Sequence, residues 1–193
     1  MTNWSARVAC PACGEASTPA FYNAHFDRPP LTDFFLRHYG EAAKDASRLL
    51  SGVEFRLCRC RWCACVYQEF LPPPEVLNAV YGRWIDPVAS RARFESMHSL
   101  DAALHLVREA ATAVALVGKP PHRVRVLDFG MGWGAWADAA GGLGCEVAGT
   151  DLTPSRTQDA AQRGIETLLP GAWRGRSFDL IHAEQIFEHL PDP

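Results

Sequence analysis

The spacing of apolar residues changes its period along the chain, and the change marks out different kinds of structure. From residue 122 onward, short apolar runs alternate with amphipathic segments. Val124, Val126 and Leu127 lead into Asp128 and predict a buried strand over 124–129. Similar runs at 145–150, 165–169 and 178–183 read as strands, and the segments 135–141 and 155–163 read as helices. Pro154 stands where a first helical turn tolerates proline, and Gly164 where that helix must end. Strand and helix in alternation predict an α/β, Rossmann-like parallel sheet, of which four strands lie in this sequence.

Upstream the pattern is helical. Met97, Leu100, Leu104, Val107, Ala111 and Val114 recur at three and four residues, predicting one helix over 90–117 with these side chains as its buried stripe. Before the Pro72-Pro73-Pro74 break, 33–39 and 41–50 read as short helices, and 53–57 as a strand with 66–70 as its hairpin partner. A further short helix is expected over 75–81. The chain thus divides into 1–71, a helical connector 72–121, and the α/β part 122–193.

Composition narrows the function classes. A net charge of −3 over 193 residues offers no basic surface for nucleic acid or an anionic membrane. No apolar run approaches a membrane span and no signal-like segment opens the chain, so a cytoplasmic protein is expected. Six of the seven cysteines precede residue 66, a clustering that reads as metal binding more than as disulfides. Cys10-x-x-Cys13 and Cys60-x-x-Cys63 form two knuckles suited to tetrahedral Zn²⁺. Gly14 supplies the turn after the first, and Ala64 takes that place in the second. Cys58, Cys65, His25 and His38 are rival ligands, and buried free thiols are the alternative. Four thiolates would close the shell, so the expected zinc is structural.

After the strand ending in Asp128 come Gly130, Gly132 and Gly134, then a helix, and Asp151 lies one βαβ unit further on. Glycines there let backbone approach a nucleotide-type cofactor, and the acid is placed for a ribose hydroxyl. The Gly130-x-Gly132-x-x-Ala135 spacing also admits a dinucleotide, hence a nicotinamide-dependent oxidoreductase. Charge argues otherwise. Asp128 would repel a pyrophosphate, whereas it would attract the positive sulfonium and α-ammonium of S-adenosylmethionine.

Val-Leu-Asp-Phe-Gly-Met-Gly-Trp-Gly at 126–134 resembles the first motif of class I S-adenosylmethionine-dependent methyltransferases. The stretch 146–155, with Asp151, is similar to their second strand, and 177–193, with Glu-His-Leu-Pro-Asp-Pro, to their fourth strand and its following segment. The resemblance implies that Gly130, Gly132 and Gly134 line the cofactor, that Asp128 holds its amino end and that Asp151 accepts from the ribose. It puts Glu184 and Gln185 facing the reacting methyl, and makes His189 the candidate general base, a position that in many members only orders the loop. The segment 168–173 lacks the Asp or Asn many members use for adenine. It implies a small-molecule acceptor, sugars and secondary metabolites being among the classes, and cysteine modules similar to residues 1–71 precede some such enzymes. The family's sheet has seven strands, ordered 3-2-1-4-5-7-6. With four here, the expectation is a fragment of a longer enzyme, the alternative being that something else completes the sheet; a non-catalytic zinc-bearing binding module is the remaining alternative for function.

Overall fold

The computed structural model describes residues 4–96 and 99–190. The chain divides into two compact units, one running to Val88 and one spanning Ala89–His189.

In the first unit, strand β1 (Ser5–Ala6) precedes β2 (Ala20–His25), helix α1 (Leu31–Tyr39), a 3-10 turn at Gly40–Asp45 and the single-turn helix α2 (Ala46–Leu49). Strands β3 (Glu54–Arg59), β4 (Val66–Gln68) and β5 (Phe70–Leu71) follow, then α3 (Pro74–Ala79), continued as a π turn over Val80–Trp84. β3 pairs antiparallel with both β2 and β4, and β1 pairs with β5. The expected 53–57 and 66–70 hairpin is present, but its second arm divides into β4 and β5 at Glu69, whose carboxylate reaches back to Arg56 at 3.2 Å.

Two elements depart from the sequence pattern. The helix expected over 41–50 is mostly a 3-10 turn. Asp45 spends its carboxylate on distant donors, Trp84 Nε1 and Arg83, each at 2.6 Å, and makes no side-chain cap for α2. β2 gave no signal because Phe21 and Tyr22 are both exposed, so the strand has no in-out alternation. The core gathers Phe26, Leu49, Leu50, Val76 and Trp84, with Trp4, Phe35 and Tyr39 packed around them.

The second unit carries the rest of α4 (Pro87–Ser96), then α5 (Leu100–Val117), β6 (Arg125–Phe129), α6 (Ala135–Gly142), β7 (Glu146–Thr150), α7 (Pro154–Gln162), β8 (Glu166–Thr167) and β9 (Leu180–His182). These four strands form one parallel sheet in the order β8-β7-β6-β9, a Rossmann-like α/β arrangement. Val124 and Val126 meet Ala110 and Val114 of α5 and Trp136 and Ala140 of α6 on one face. Leu127, Ala148 and Leu168 are buried on the other, beside Phe129, Trp173 and Phe178.

The helix expected over 90–117 is two helices. Ser99 is extended and its hydroxyl accepts from Ala102 N at 3.3 Å, so a cap begins α5 where the pattern suggested continuity. The stripe is rotated as well. Ala110 and Val114 are buried and Leu106, Ala113 and Val117 pack beside them, while Leu100 is 74 % and Leu104 41 % exposed. Met97 of the expected stripe, like 191–193, lies outside the described residues.

Leu127 is 2 % exposed against Ala148 and Leu168. Leu127→Ala is therefore expected to lower unfolding free energy by about 2–4 kcal/mol, read from denaturant melts of the second unit's signals.

Candidate functional site

The carboxyl ends of β6 and β7 build the glycine loop. Past the last β6 residue, the amides of Gly130 and Met131 both donate to the Thr150 carbonyl, at 2.9 and 3.0 Å. The Gly132 amide donates to Asp151 Oδ2 at 3.0 Å, and Thr153 N donates to Oδ1 at 2.8 Å. Arg156 approaches the same carboxylate at 3.6 Å. Asp151 therefore anchors the loop to the second strand. Gly130 (φ 76°) and Gly132 (φ 57°) are left-handed. A Cβ on Gly130 would collide with the Ile186 side chain, whereas one on Gly132 would project into open space. The loop thus leaves a cradle on the Gly132 side.

Trp133, between the second and third glycines, is held by α4. Its Nε1 donates to Ser90 Oγ at 3.2 Å, and the Arg91 guanidinium lies 4.8 Å from its ring centre. Phe94, 2 % exposed, lies beside it. A residue flanked by flexible glycines is in this way fixed from another helix.

Asp128 is 2 % exposed. Its Oδ1 lies 2.8 Å from His182 Nδ1 on β9, the residue opposite it in the parallel register. Its Oδ2 is buried and has no hydrogen-bond partner among the described residues. The Trp136 ring stacks on the imidazole at 4.0 Å and 1° between planes, and Glu109 Oε1 of α5 stands 3.7 Å from Nε2. Burial disfavours the imidazolium, but the bond to Asp128 and the charges of Asp128, Glu109 and Glu184 outweigh it and raise the His182 pKa.

Of the residues expected at a cofactor site, Asp128, Gly130, Gly132, Gly134 and Asp151 come together at this strand edge. Glu184 and Gln185 follow β9 and are exposed, Gln185 with φ 56°. His189 ends the 3-10 turn Phe187–His189, exposed, its amide on Ile186 O. His182, Trp136, Glu109 and Arg156 were not expected. His182 becomes visible only with the register: level with Asp128 on a parallel neighbour, it faces the same side.

In the first unit, the sulfurs of Cys10, Cys13, Cys60 and Cys63 lie within 4.8 Å of one another, with Cys10–Cys63 and Cys13–Cys60 at 3.6 Å. A Zn–S length of about 2.3 Å requires tetrahedral sulfurs about 3.8 Å apart, so the set fits. The knuckles repeat one turn, in which Gly14 N bonds to Cys10 O and Ala64 N to Cys60 O. Ala64 adopts the left-handed conformation (φ 61°) that glycine takes in the first knuckle. Of the rival ligands, Cys58 points to Glu69, Cys65 to the Val66 carbonyl, His25 to Glu54, and His38 stacks on Phe34.

The cluster's acidity is divided. Burial opposes ionisation of Cys10, but the amides of Ala12 and Cys13 and the neighbouring thiols outweigh it and bring Cys10 down to about 7. The Glu15 amide favours the Cys13 thiolate, but burial and the thiols of Cys63, Cys60 and Cys10 outweigh it, leaving Cys13 pushed up to about 12. Cys10 and Cys60 are both shifted toward the thiolate while Cys13 resists it, so four thiolates together are favoured by a bound cation.

A family described as "Methyltransferase domain" matches residues 88–193. Ubiquinone biosynthesis O-methyltransferase of Bordetella pertussis is 28% identical over 130 residues, covering 62% of this chain and 50% of that protein. The enzyme of the same name from Xanthomonas campestris is 32% identical over 94 residues, covering 43% and 37%. A solved structure from Galdieria sulphuraria, named as a candidate sarcosine dimethylglycine methyltransferase, aligns with TM-score 0.40 and 22% identity, over 48% of this chain and 40% of that one. The chain spans about half the length of the curated relatives it matches. Among the described residues no helix is long and apolar enough to cross a membrane.

The glycine geometry separates two substitutions. Gly130→Ala meets left-handed strain, worth about 1–2 kcal/mol, and the Ile186 side chain as well, so it is expected to lower stability by more than the strain alone. Gly132→Ala meets the strain alone, and its methyl enters the cradle. Urea melts of both variants should therefore rank Gly132→Ala as the milder, while cofactor titration ranks it as the more damaging.

Proposed function

The chain belongs to the methyltransferase-domain family, and from that premise we propose that its second unit binds S-adenosylmethionine for methyl transfer to a small-molecule acceptor. The observation that carries this reading is Asp128 Oδ2, a buried carboxylate oxygen without a partner two residues before a glycine cradle. Such an oxygen is costly to leave unpaired, and a cationic ligand group satisfies it. Asp128 is thus the acceptor for the cofactor's α-ammonium. Gly130, Gly132 and Gly134 let backbone meet the methionine and ribose portion, and Asp151 accepts from the ribose hydroxyls while keeping the Gly132 amide. A dinucleotide fits poorly. Its pyrophosphate would meet Asp128 and an amide whose acceptor is already the Asp151 carboxylate.

The bound cofactor supplies a methyl on a positively charged sulfur, activated for in-line attack. Glu184 and Gln185 are assigned to the methyl side of the site. His189 takes the acceptor's proton where the acceptor is a hydroxyl. The names of the relatives favour a hydroxyl acceptor over the sugar or general secondary metabolite suggested by the cysteine module. In the first unit, Cys10, Cys13, Cys60 and Cys63 hold one structural zinc.

Calorimetric titration with S-adenosylhomocysteine is expected to show one site, weakened about tenfold or more by Asp151→Ala. A folded chain that takes no S-adenosylhomocysteine but enhances NADH fluorescence would reverse the reading. Elemental analysis is expected to find about one zinc per chain, lost with Cys13→Ser or on chelation, with the first unit's melting temperature falling in step. Zinc retained after Cys13→Ser would disprove the assigned ligand set.

A further inference from the structure

His182 has no role in the reading above, yet it is the most constrained polar side chain beside the site. β6 and β9 place it level with Asp128, so both side chains enter the layer under α5 and α6. Three contacts from three elements fix the ring: Nδ1 on Asp128 Oδ1 at 2.8 Å, its face on Trp136 of α6 at 4.0 Å, and Nε2 toward Glu109 of α5 at 3.7 Å. Turning the ring over would carry both nitrogens away from their carboxylates. The proton it shares with Asp128 therefore sits at Nδ1, which makes it the donor and the carboxylate the acceptor. The carboxylate is fixed in turn, with Oδ1 engaged and Oδ2 left as the buried free acceptor.

We propose that His182 is a positioning residue for cofactor binding, orienting Asp128 so that Oδ2 faces the α-ammonium and adjusting the charge that the cation meets. This rests on the function proposed above. The groups facing the imidazole are Asp128 from β6, Glu109 from α5, Glu184 from the segment after β9, and the uncharged Trp136 from α6. When the imidazole carries two protons it cancels the Asp128 charge, and the pair attracts a cation weakly. When it keeps only the Nδ1 proton, the hydrogen bond persists and Asp128 acts as a full anion. Affinity for the cation therefore rises as pH passes upward through the His182 titration. Stability moves the opposite way. The raised folded pKa contributes stability that is fully present below the ordinary value of about 6.5 and is lost as pH rises through the folded value.

The test compares S-adenosylhomocysteine affinity of the full chain, His182→Asn and His182→Leu across pH 5.5–8.5. Asn keeps a donor at the Nδ1 position and does not titrate, whereas Leu keeps bulk alone. Taking ratios to wild type removes the ligand's own amine titration. His182→Leu is expected to bind about tenfold more weakly throughout. His182→Asn is expected to match wild type at high pH and to bind more tightly than wild type at low pH. Binding by wild type with His182→Leu indistinguishable, or a wild-type to His182→Asn ratio flat with pH, overturns the positioning role alone. No binding by wild type overturns the function and this role together. Should His182→Leu fail to fold, the His182→Asn ratio decides.

Discussion

Gly130 and Met131 both donate to the Thr150 carbonyl, and Gly132 donates to Asp151, so three successive loop amides are satisfied by the end of the neighbouring strand. That pairing extends the β6–β7 ladder beyond its last regular residue and bends the chain into α6. Everything at the site depends on the bend. It opens the cradle at Gly132, starts α6 so that Trp136 falls over the sheet, and brings the two strand-end carboxylates to one edge. A side chain on Asp151 that could not accept would free the Gly132 and Thr153 amides and leave the loop without its anchor.

The same loop shows why the carboxylates do not repel the fold apart. Asp151 is held by two amides and by Arg156, and Asp128 accepts from His182. Each acid has a local partner, but in different currencies of geometry: amides fix Asp151 to backbone, while His182 leaves one Asp128 oxygen available. The asymmetry sorts the two acids into an anchor and a receptor, a distinction that their similar strand-end positions do not reveal.

Period-two and period-3.6 patterns made the sheet legible. The strand–helix alternation from residue 124 onward, and its parallel order, follow from apolar runs that only a doubly covered sheet can bury. The two Cys-x-x-Cys knuckles were legible too, because spacing alone points both sulfurs of each pair to one side. What failed was whatever depended on tertiary partners. The α5 stripe was rotated because Leu100 and Leu104 repeat as regularly as Ala110 and Ala113 do, and spacing alone does not say which face meets the sheet. The gap before α5 was hidden because a serine cap in an apolar repeat looks like one polar position among others. β2 was missed because neither of its aromatics is buried. His182 was passed over because a single histidine in a strand acquires meaning only when the register with β6 is known.

The two units solve one electrostatic problem by the same means. In each, a turn with left-handed residues stands beside acidic groups: four thiols within 4.8 Å of one another behind Gly14 and Ala64, and the carboxylates of Asp128 and Asp151 around Gly130 and Gly132. Backbone amides stabilise part of the negative charge, those of Ala12 and Cys13 for Cys10 and those of Gly132 and Thr153 for Asp151. The remainder is left for a positive ligand. A site arranged in this way is stabilised by whatever cation it binds, because binding to the folded form alone shifts the folding equilibrium toward it. Affinity and stability are then two readings of one arrangement.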